Sequence, residues 1–415
     1  MSSIKEINPK RPVEPAPKSF FKKLGPGIIT AALVFGPGSL TINTKLGASY
    51  GYNLIWVLVI SIILMIAFTN MSTRIGLYSS VSLMTRIKTE IGRTIAFLVG
   101  LGIFLTTASF QAGNTVGASL AFSELFSTPL VVWILLFTIL AISLLYFKSF
   151  YKILEKLMIG LVILMLSSFM LTIIMVAPNI EQIILGLIPS VPKGSEYFII
   201  TLTASSFSIV GAFYQSYLVQ EKGSGMADKQ DGIREGKTGI IILGLLSSLV
   251  MICAASVLKS NNIDVRSASD LGLALEPLFG SFTSYAFMIG FFAASFSSMI
   301  GNATIGGVIL ADTLFGESSL QKVKVRSMIV LIILIGAVIA FIFGALPLEL
   351  IIFAQGITIM IVPMAAVILL MFANGNRISN ELKNGNYTNT IGVIGITVLL
   401  IMSIYSVYYL FNALV

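Results

Sequence analysis

The chain has 415 residues, is 56% hydrophobic and 11% charged, and carries a formal net charge of +8. A soluble domain of this length would carry roughly 25% charge, and apolar runs of about 20 residues recur from end to end, so a polytopic membrane protein replaces two or three soluble domains. The single cysteine, Cys253, excludes an intramolecular disulfide and fits no metal-ligand spacing.

Residues 1–23, MSSIKEINPKRPVEPAPKSFFKK, are polar and basic and lack a signal-peptide apolar core, so they are expected to form a disordered cytoplasmic tail. Residues 24–415 then form one transmembrane domain. Eleven apolar segments are expected to cross the bilayer as helices, at about 25–50, 53–73, 94–124, 129–147, 152–176, 197–220, 238–258, 280–312, 327–344, 348–373 and 389–413. No aqueous domain interrupts them. With the N-terminus inside, 22 of the 26 Lys and Arg residues fall in cytoplasmic segments, which places the C-terminus outside. The positive charge is thus a topology signal, and no basic face on an aqueous domain points to nucleic acid. No phosphate-binding Gly-rich loop and no nucleophile–base pair is present, so neither an enzyme nor an ATP-driven pump is expected.

The first segment, GIITAALVFGPGSLTINTKLGASYGY, contains Gly-Pro-Gly at 36–38, near its middle. Irregular backbone at that depth is tolerated only where it lines a cavity. Several patterns together resemble the NRAMP metal-ion transporter family. They are two Gly-Pro-Gly turns (25–27 and 36–38), TRIGL at 73–77, GLIPSVP at 186–192, DGIREGKTG at 231–239, SSMIGNATIGGVILADTLFG at 297–316 and AQGITIMIVPMAAVILL at 354–370. The resemblance covers residues 24–410. It implies an all-α fold of the leucine-transporter type. Helices 1–5 (about 24–176) and 6–10 (about 197–373) would be inverted repeats, helix 11 (about 389–413) an addition, and helices 1 and 6 broken where substrate binds. It also implies a monomer with a small inorganic ion as substrate.

The family's metal motifs are not kept. Its Asp-Pro-Gly-Asn aligns with Gly36, Pro37, Gly38 and Ser39. The metal-coordinating Met of its helix 6 aligns with Ser208, or with Ile209 or Val210 by a one-residue gap, and the preceding Ala with Ser205. The whole chain lacks histidine. A dication brought into low dielectric without a compensating anion costs on the order of tens of kcal/mol by idealised solvation. The remaining acids offer no central replacement, because Glu124, Glu155, Asp312 and Glu349 fall near expected helix ends.

Loss of the carboxylate leads to the expectation of a small-anion carrier, bicarbonate foremost. The N–H groups at Gly38, Ser39 and Leu40 would open a half-helix suited to an anion, with Ser39 or Thr41 as its cap. Lys45, the one basic residue well inside a span, would attract the anion or else snorkel to the interface. In helix 6, Thr201, Ser205 and Ser208 share a helical face, with Gly211 as a possible break point. The buried amides Gln111, Asn114, Asn302 and Gln355 each need a partner. The candidate substrate residues are therefore Gly36, Pro37, Gly38, Ser39, Leu40, Lys45, Ser205, Ser208, Gly211 and Gln355, with no cofactor and no resident metal. The alternative is a divalent-cation transporter for Mg²⁺ or Mn²⁺ with an unorthodox site, since hydrated Mg²⁺ needs no direct carboxylate contact. A non-transporting sensor is a third reading, disfavoured because no signalling domain is attached. The expected location is a plasma membrane.

Overall fold

The computed structural model describes residues 25–147, 150–261, 263, 265, 269–344, 362–375 and 380–414. Among them every regular element is helical. In chain order these are α1 (Gly25–Val34), α2 (Pro37–Tyr50), α3 (Ile55–Tyr78), α4 (Leu83–Glu90), α5 (Arg93–Phe126), α6 (Leu130–Leu145), α7 (Phe150–Val176) and α8 (Ile180–Leu185). They continue as α9 (Glu196–Ser206), α10 (Ile209–Glu221), α11 (Lys229–Ala254), α12 (Ser269–Phe279), α13 (Ser281–Phe315), α14 (Val323–Phe343), α15 (Val362–Asn374) and α16 (Asn386–Leu414).

Eight helical stretches are long and apolar enough to cross a bilayer, with α9 and α10 counted as one, and the bent pair α1–α2 makes a ninth. One of the eleven expected spans is shorter. Helix α6 has 16 residues, fewer than the roughly 20 a perpendicular span needs. The segment at 348–373 is described only from Val362, as α15. The helices α6, α14 and α16 turn large apolar side chains outward, with Ile139 64%, Ile342 68% and Ile404 70% exposed. Exposure on this scale belongs to a lipid-facing surface, since soluble monomers rarely show apolar patches so extensive.

The core is built on two helices of more than thirty residues, α5 and α13, which pack along each other. Phe122 of α5, Trp133 and Phe137 of α6, and Phe292 and Phe296 of α13 form one aromatic cluster, with ring centroids 4.5–5.7 Å apart. Around this core the remaining contacts exchange in pairs: α1 and α2 both pack on α11, while α9 and α10 both pack on α3.

Small residues make the exchange possible. A Cβ at Gly27 would lie 1.8 Å from the Glu235 carbonyl oxygen, and one at Gly239 would lie 1.8 Å from the Gly27 carbonyl oxygen. The backbones of α1 and α11 therefore touch with no side chain between them, the close approach that small residues permit in membranes. Both interrupted helices are in this way held against the middle of the bundle, where their breaks face each other.

Candidate ion site

The first break lies between α1 and α2, which meet at 64°. Pro37 begins α2 and has no N–H to donate back, and Gly36 is extended, with φ −121° and ψ −172°. Any L-residue adopts that backbone, so Gly36 is required by space: a Cβ there would lie 2.6 Å from Ser298 Oγ. A helix end frees its last four carbonyls. Here Ala31 O accepts the Phe35 N–H at 2.9 Å. Ala32 O accepts the Ser297 and Ser298 hydroxyls at 3.0 and 3.3 Å, Leu33 O accepts Ser298 Oγ at 3.2 Å, and Val34 O accepts Ser39 Oγ at 3.3 Å. The freed carbonyls are thus covered by serines, two of them from α13. No side chain caps the start of α2, so neither Ser39 nor Thr41 has the expected capping role. The Leu40 N–H is taken by Gly36 O at 3.0 Å, which leaves the amides of Gly38 and Ser39 at the head of the helix.

The second break lies at Phe207–Ser208 and not at Gly211. Helix α9 ends with the Phe207 N–H on Thr203 O at 2.7 Å. Phe207 packs on Phe68 of α3, with ring centroids 5.3 Å apart. Ser208, with φ −80° and ψ 95°, caps α10 by accepting the Gly211 N–H on its Oγ at 3.2 Å. The Ser208 N–H makes no return bond to Ala204, whose carbonyl ends the half-helix without a backbone partner. Gly211 lies inside α10, where a Cβ would sit 2.6 Å from Val34 Cγ2. Its part is to let α10 approach the end of α1.

Between the breaks is a cavity of about 60 Å³, measured for the centres of water molecules. That is well above the roughly 10–15 Å³ that a single water needs. Of the expected site residues, Gly36, Gly38, Ser39, Ser205 and Ser208 line it. Ser205 Oγ donates to Ser39 Oγ at 2.7 Å and joins the two broken helices directly. Pro37 and Leu40 do not line the cavity, because Pro37 packs toward Gly117 of α5 and Leu40 is fully buried. Lys45 lies outside it as well, with Nζ donating to Val265 O at 3.4 Å. Gln355 lies outside the described residues.

The structure adds residues that the motif alignment passes over. Asn114 of α5 donates to Ser298 O at 3.2 Å and keeps Oδ1 beside Gly36. Asn302 of α13 lines the cavity with no hydrogen-bond partner for its side chain among the described residues. Thr106 adds to the polar lining, and Ala204, Phe110, Phe207, Ile209 and Val362 also line the cavity. An amide facing a break on a helix that crosses it is the sequence signal for these residues, and it is weak when each amide is considered alone.

Among the described residues no carboxylate lines the cavity, and no group of three or more His, Cys, Asp or Glu residues that could hold a metal ion occurs. Buried acids are committed elsewhere. Asp312 accepts the Tyr217 hydroxyl at 2.7 Å and Thr85 Oγ1 at 3.4 Å, toward α4. Glu235 is paired with Lys222 at 2.6 Å. The lining can therefore offer neutral oxygens: the two linked hydroxyls, the side-chain oxygens of Asn114 and Asn302, and the carbonyl at the negative end of α9.

Comparison with known proteins separates the two readings of such a pocket. The divalent metal cation transporter MntH of Caldanaerobacter subterraneus is 23% identical over 401 residues, which span 93% of this chain and 92% of the relative. That of Chromohalobacter salexigens is 24% identical over 399 residues, covering 94% and 91%. The crystal structure of the Eremococcus coleocola manganese transporter superposes with a TM-score of 0.78 at 21% identity, over 95% of this chain and 88% of that one. A nucleobase–cation symporter superposes with a TM-score of 0.62 at 12% identity, over 94% and 93%. These likenesses establish the leucine-transporter-type fold with two interrupted helices. They overturn the expectation of an anion carrier and of bicarbonate, since the named relatives carry divalent metal cations. The physical reason is legible in the pocket. The open end of α9 is its negative one and the lysine invoked to draw an anion is held outside, while the Gly38 and Ser39 amides stay at the head of α2, so the backbone presents both signs and the breaks by themselves do not select an anion. The natural resistance-associated macrophage protein-like family profile matches residues 27–409, and the chain belongs to that family of membrane transporters.

Proposed function

We propose that this chain is a secondary transporter of a divalent metal cation, Mg²⁺ ahead of Mn²⁺, taken with much of its water shell in place. The observation that carries the reading is the second break. Ala204, whose carbonyl makes no backbone hydrogen bond among the described residues, lines the same cavity as the Ser39–Ser205 hydroxyl pair, and no carboxylate among the described residues lines it. A transition metal gains most from direct nitrogen, sulfur and carboxylate ligands. Mg²⁺ dehydrates reluctantly and keeps several waters, which donate outward to neutral oxygens. The carbonyl, hydroxyl and amide oxygens of Ala204, Ser39, Ser205, Asn114 and Asn302 suit that outer shell. Gly36, Gly38 and Ser208 shape the two breaks that expose it. In the same reading residues 24–176 and 197–373 are the inverted repeats, 389–413 is an added helix, and the protein is a plasma-membrane monomer with its N-terminus cytoplasmic and its C-terminus outside.

Uptake into proteoliposomes tests the proposal, with dyes selective for Mg²⁺ and for Mn²⁺ in parallel. Saturable Mg²⁺ entry, with Mn²⁺ a weak competitor, is expected. Protein that stays monodisperse on size exclusion yet moves neither cation would overturn the function, and strong preference for Mn²⁺ would overturn the hydrated-ion site.

A further inference from the structure

A second and larger cleft, of about 480 Å³ measured in the same way, lies outside the bundle core, between α3, the start of α11 and the start of α16. Its lining is divided by chemistry. One part is Ile63, Ile66 and Ala67 of α3 with Ile391 of α16, and the other is Arg74, Lys229 and Lys237. Arg74 is buried, with Nε donating to Asn70 O at 3.2 Å and Nη1 to Leu382 O at 3.0 Å, and it ties the loop before α16 to α3. No acidic side chain among the described residues forms an ion pair with Arg74 or Lys237. Arg74 lies in the last turn or so of α3, Lys229 opens α11 and Lys237 lies two turns into it, on the face that the Lys and Arg distribution assigns to the cytoplasm, an orientation that rests on the reading above. The apolar part runs into surface that faces the bilayer, with Ile63 47% and Ile241 57% exposed.

We infer that this cleft is a binding site for an anionic phospholipid of the cytoplasmic leaflet, its headgroup phosphate held by Lys229 and Lys237 and an acyl chain laid along Ile63, Ile66 and Ile391. The charge and the apolar wall each point to one end of the same molecule. A free phosphate would satisfy the lysines and leave the isoleucine wall without an occupant. A zwitterionic lipid would fill the wall without answering the excess positive charge. Each lysine near an anionic leaflet contributes an amount that corresponds to about fivefold in affinity. Tyr387, 79% exposed at the start of α16, stands at the rim, where an amphipathic ring favours the membrane interface.

The test is lipid binding by the full-length purified protein, read by native mass spectrometry and by thermal stabilisation, and it needs no transport. The probes are dioleoylphosphatidylglycerol, dioleoylphosphatidylcholine and inorganic phosphate. Phosphatidylglycerol is expected to bind and stabilise the native protein well above phosphatidylcholine, with no effect of phosphate. The Lys229→Gln/Lys237→Gln variant is expected to weaken phosphatidylglycerol binding by roughly 25-fold while leaving phosphatidylcholine unchanged. Equal binding of the two lipids, equal stabilisation by inorganic phosphate, or an undiminished response in the double variant would each overturn the site. Ile391→Asn is a second probe, expected to weaken phosphatidylglycerol binding, and no change there would remove the acyl contact. Cation uptake is scored separately, so failure of the lipid site and failure of the transport reading remain distinct.

Discussion

The two helix interruptions are made by different chemistry and finished in opposite ways. At the first, Gly-Pro-Gly forces the break, the carbonyls freed behind it are covered by Ser39, Ser297 and Ser298, and the amides ahead of it are left uncapped. At the second, no proline or glycine is present. The amides ahead are capped by Ser208, and the Ala204 carbonyl behind is left open. One break thus closes its negative end and the other closes its positive end, and a single hydroxyl pair, Ser39 with Ser205, joins them. A pocket finished in this way presents one open negative end, at α9, and one open positive end, at α2.

The largest effect that would sharpen this contrast is on stability. Ser298→Ala strips Leu33 O of its donor inside the bilayer, and a buried group left unpaired costs about 1–3 kcal/mol. Ser208→Ala removes only a cap, about 1 kcal/mol. Thermal unfolding in detergent is expected to rank the first variant below the second, and the reverse order would break the comparison. Next is Ser39→Asp, which adds an anion at the joint between the breaks. Charge pairs at the solvated end of the dielectric range are worth about 1–4 kcal/mol at 4 Å. Apparent Mn²⁺ affinity in proteoliposomes is accordingly expected to rise about tenfold, with Mn²⁺ gaining on Mg²⁺. Weakened binding of both would show that the cation does not approach this joint. The smallest is Lys45→Ala. Because Lys45 is engaged with Val265 O outside the cavity, its loss is expected to alter the apparent KM by less than about twofold at 0.15 M salt, where charges beyond about 8 Å are screened. A large rise would restore Lys45 to the substrate path.

The fold was legible in the sequence because its signals are local and redundant. Span-length apolar runs and the Gly-Pro-Gly at 36–38 each state a backbone consequence without needing a neighbour. The second break has no such signal. Its cause is tertiary: Phe207 turned against Phe68, and a serine placed to cap the next half-helix. Gly211, the residue whose type suggested a break, instead makes room for Val34. The cavity was half legible for the same reason. Ser39 and Ser205 stand at aligned motif positions, whereas Asn114 and Asn302 come from helices that merely cross the breaks. The expectation of an anion rests on the lost aspartate tipping the balance between the two helix ends, and it fails against relatives that are divalent metal cation transporters.

The bare crossing of Gly27 with Gly239 sets a mechanical limit. Side chains between two helices act as bearings that let one slide or roll over the other, and here the main chains mesh without them. The α1 rod and its α11 partner have only two courses during a transport cycle: they travel together as a unit, or they part outright and leave a gap that must be refilled. Motion at this seam is therefore stepwise.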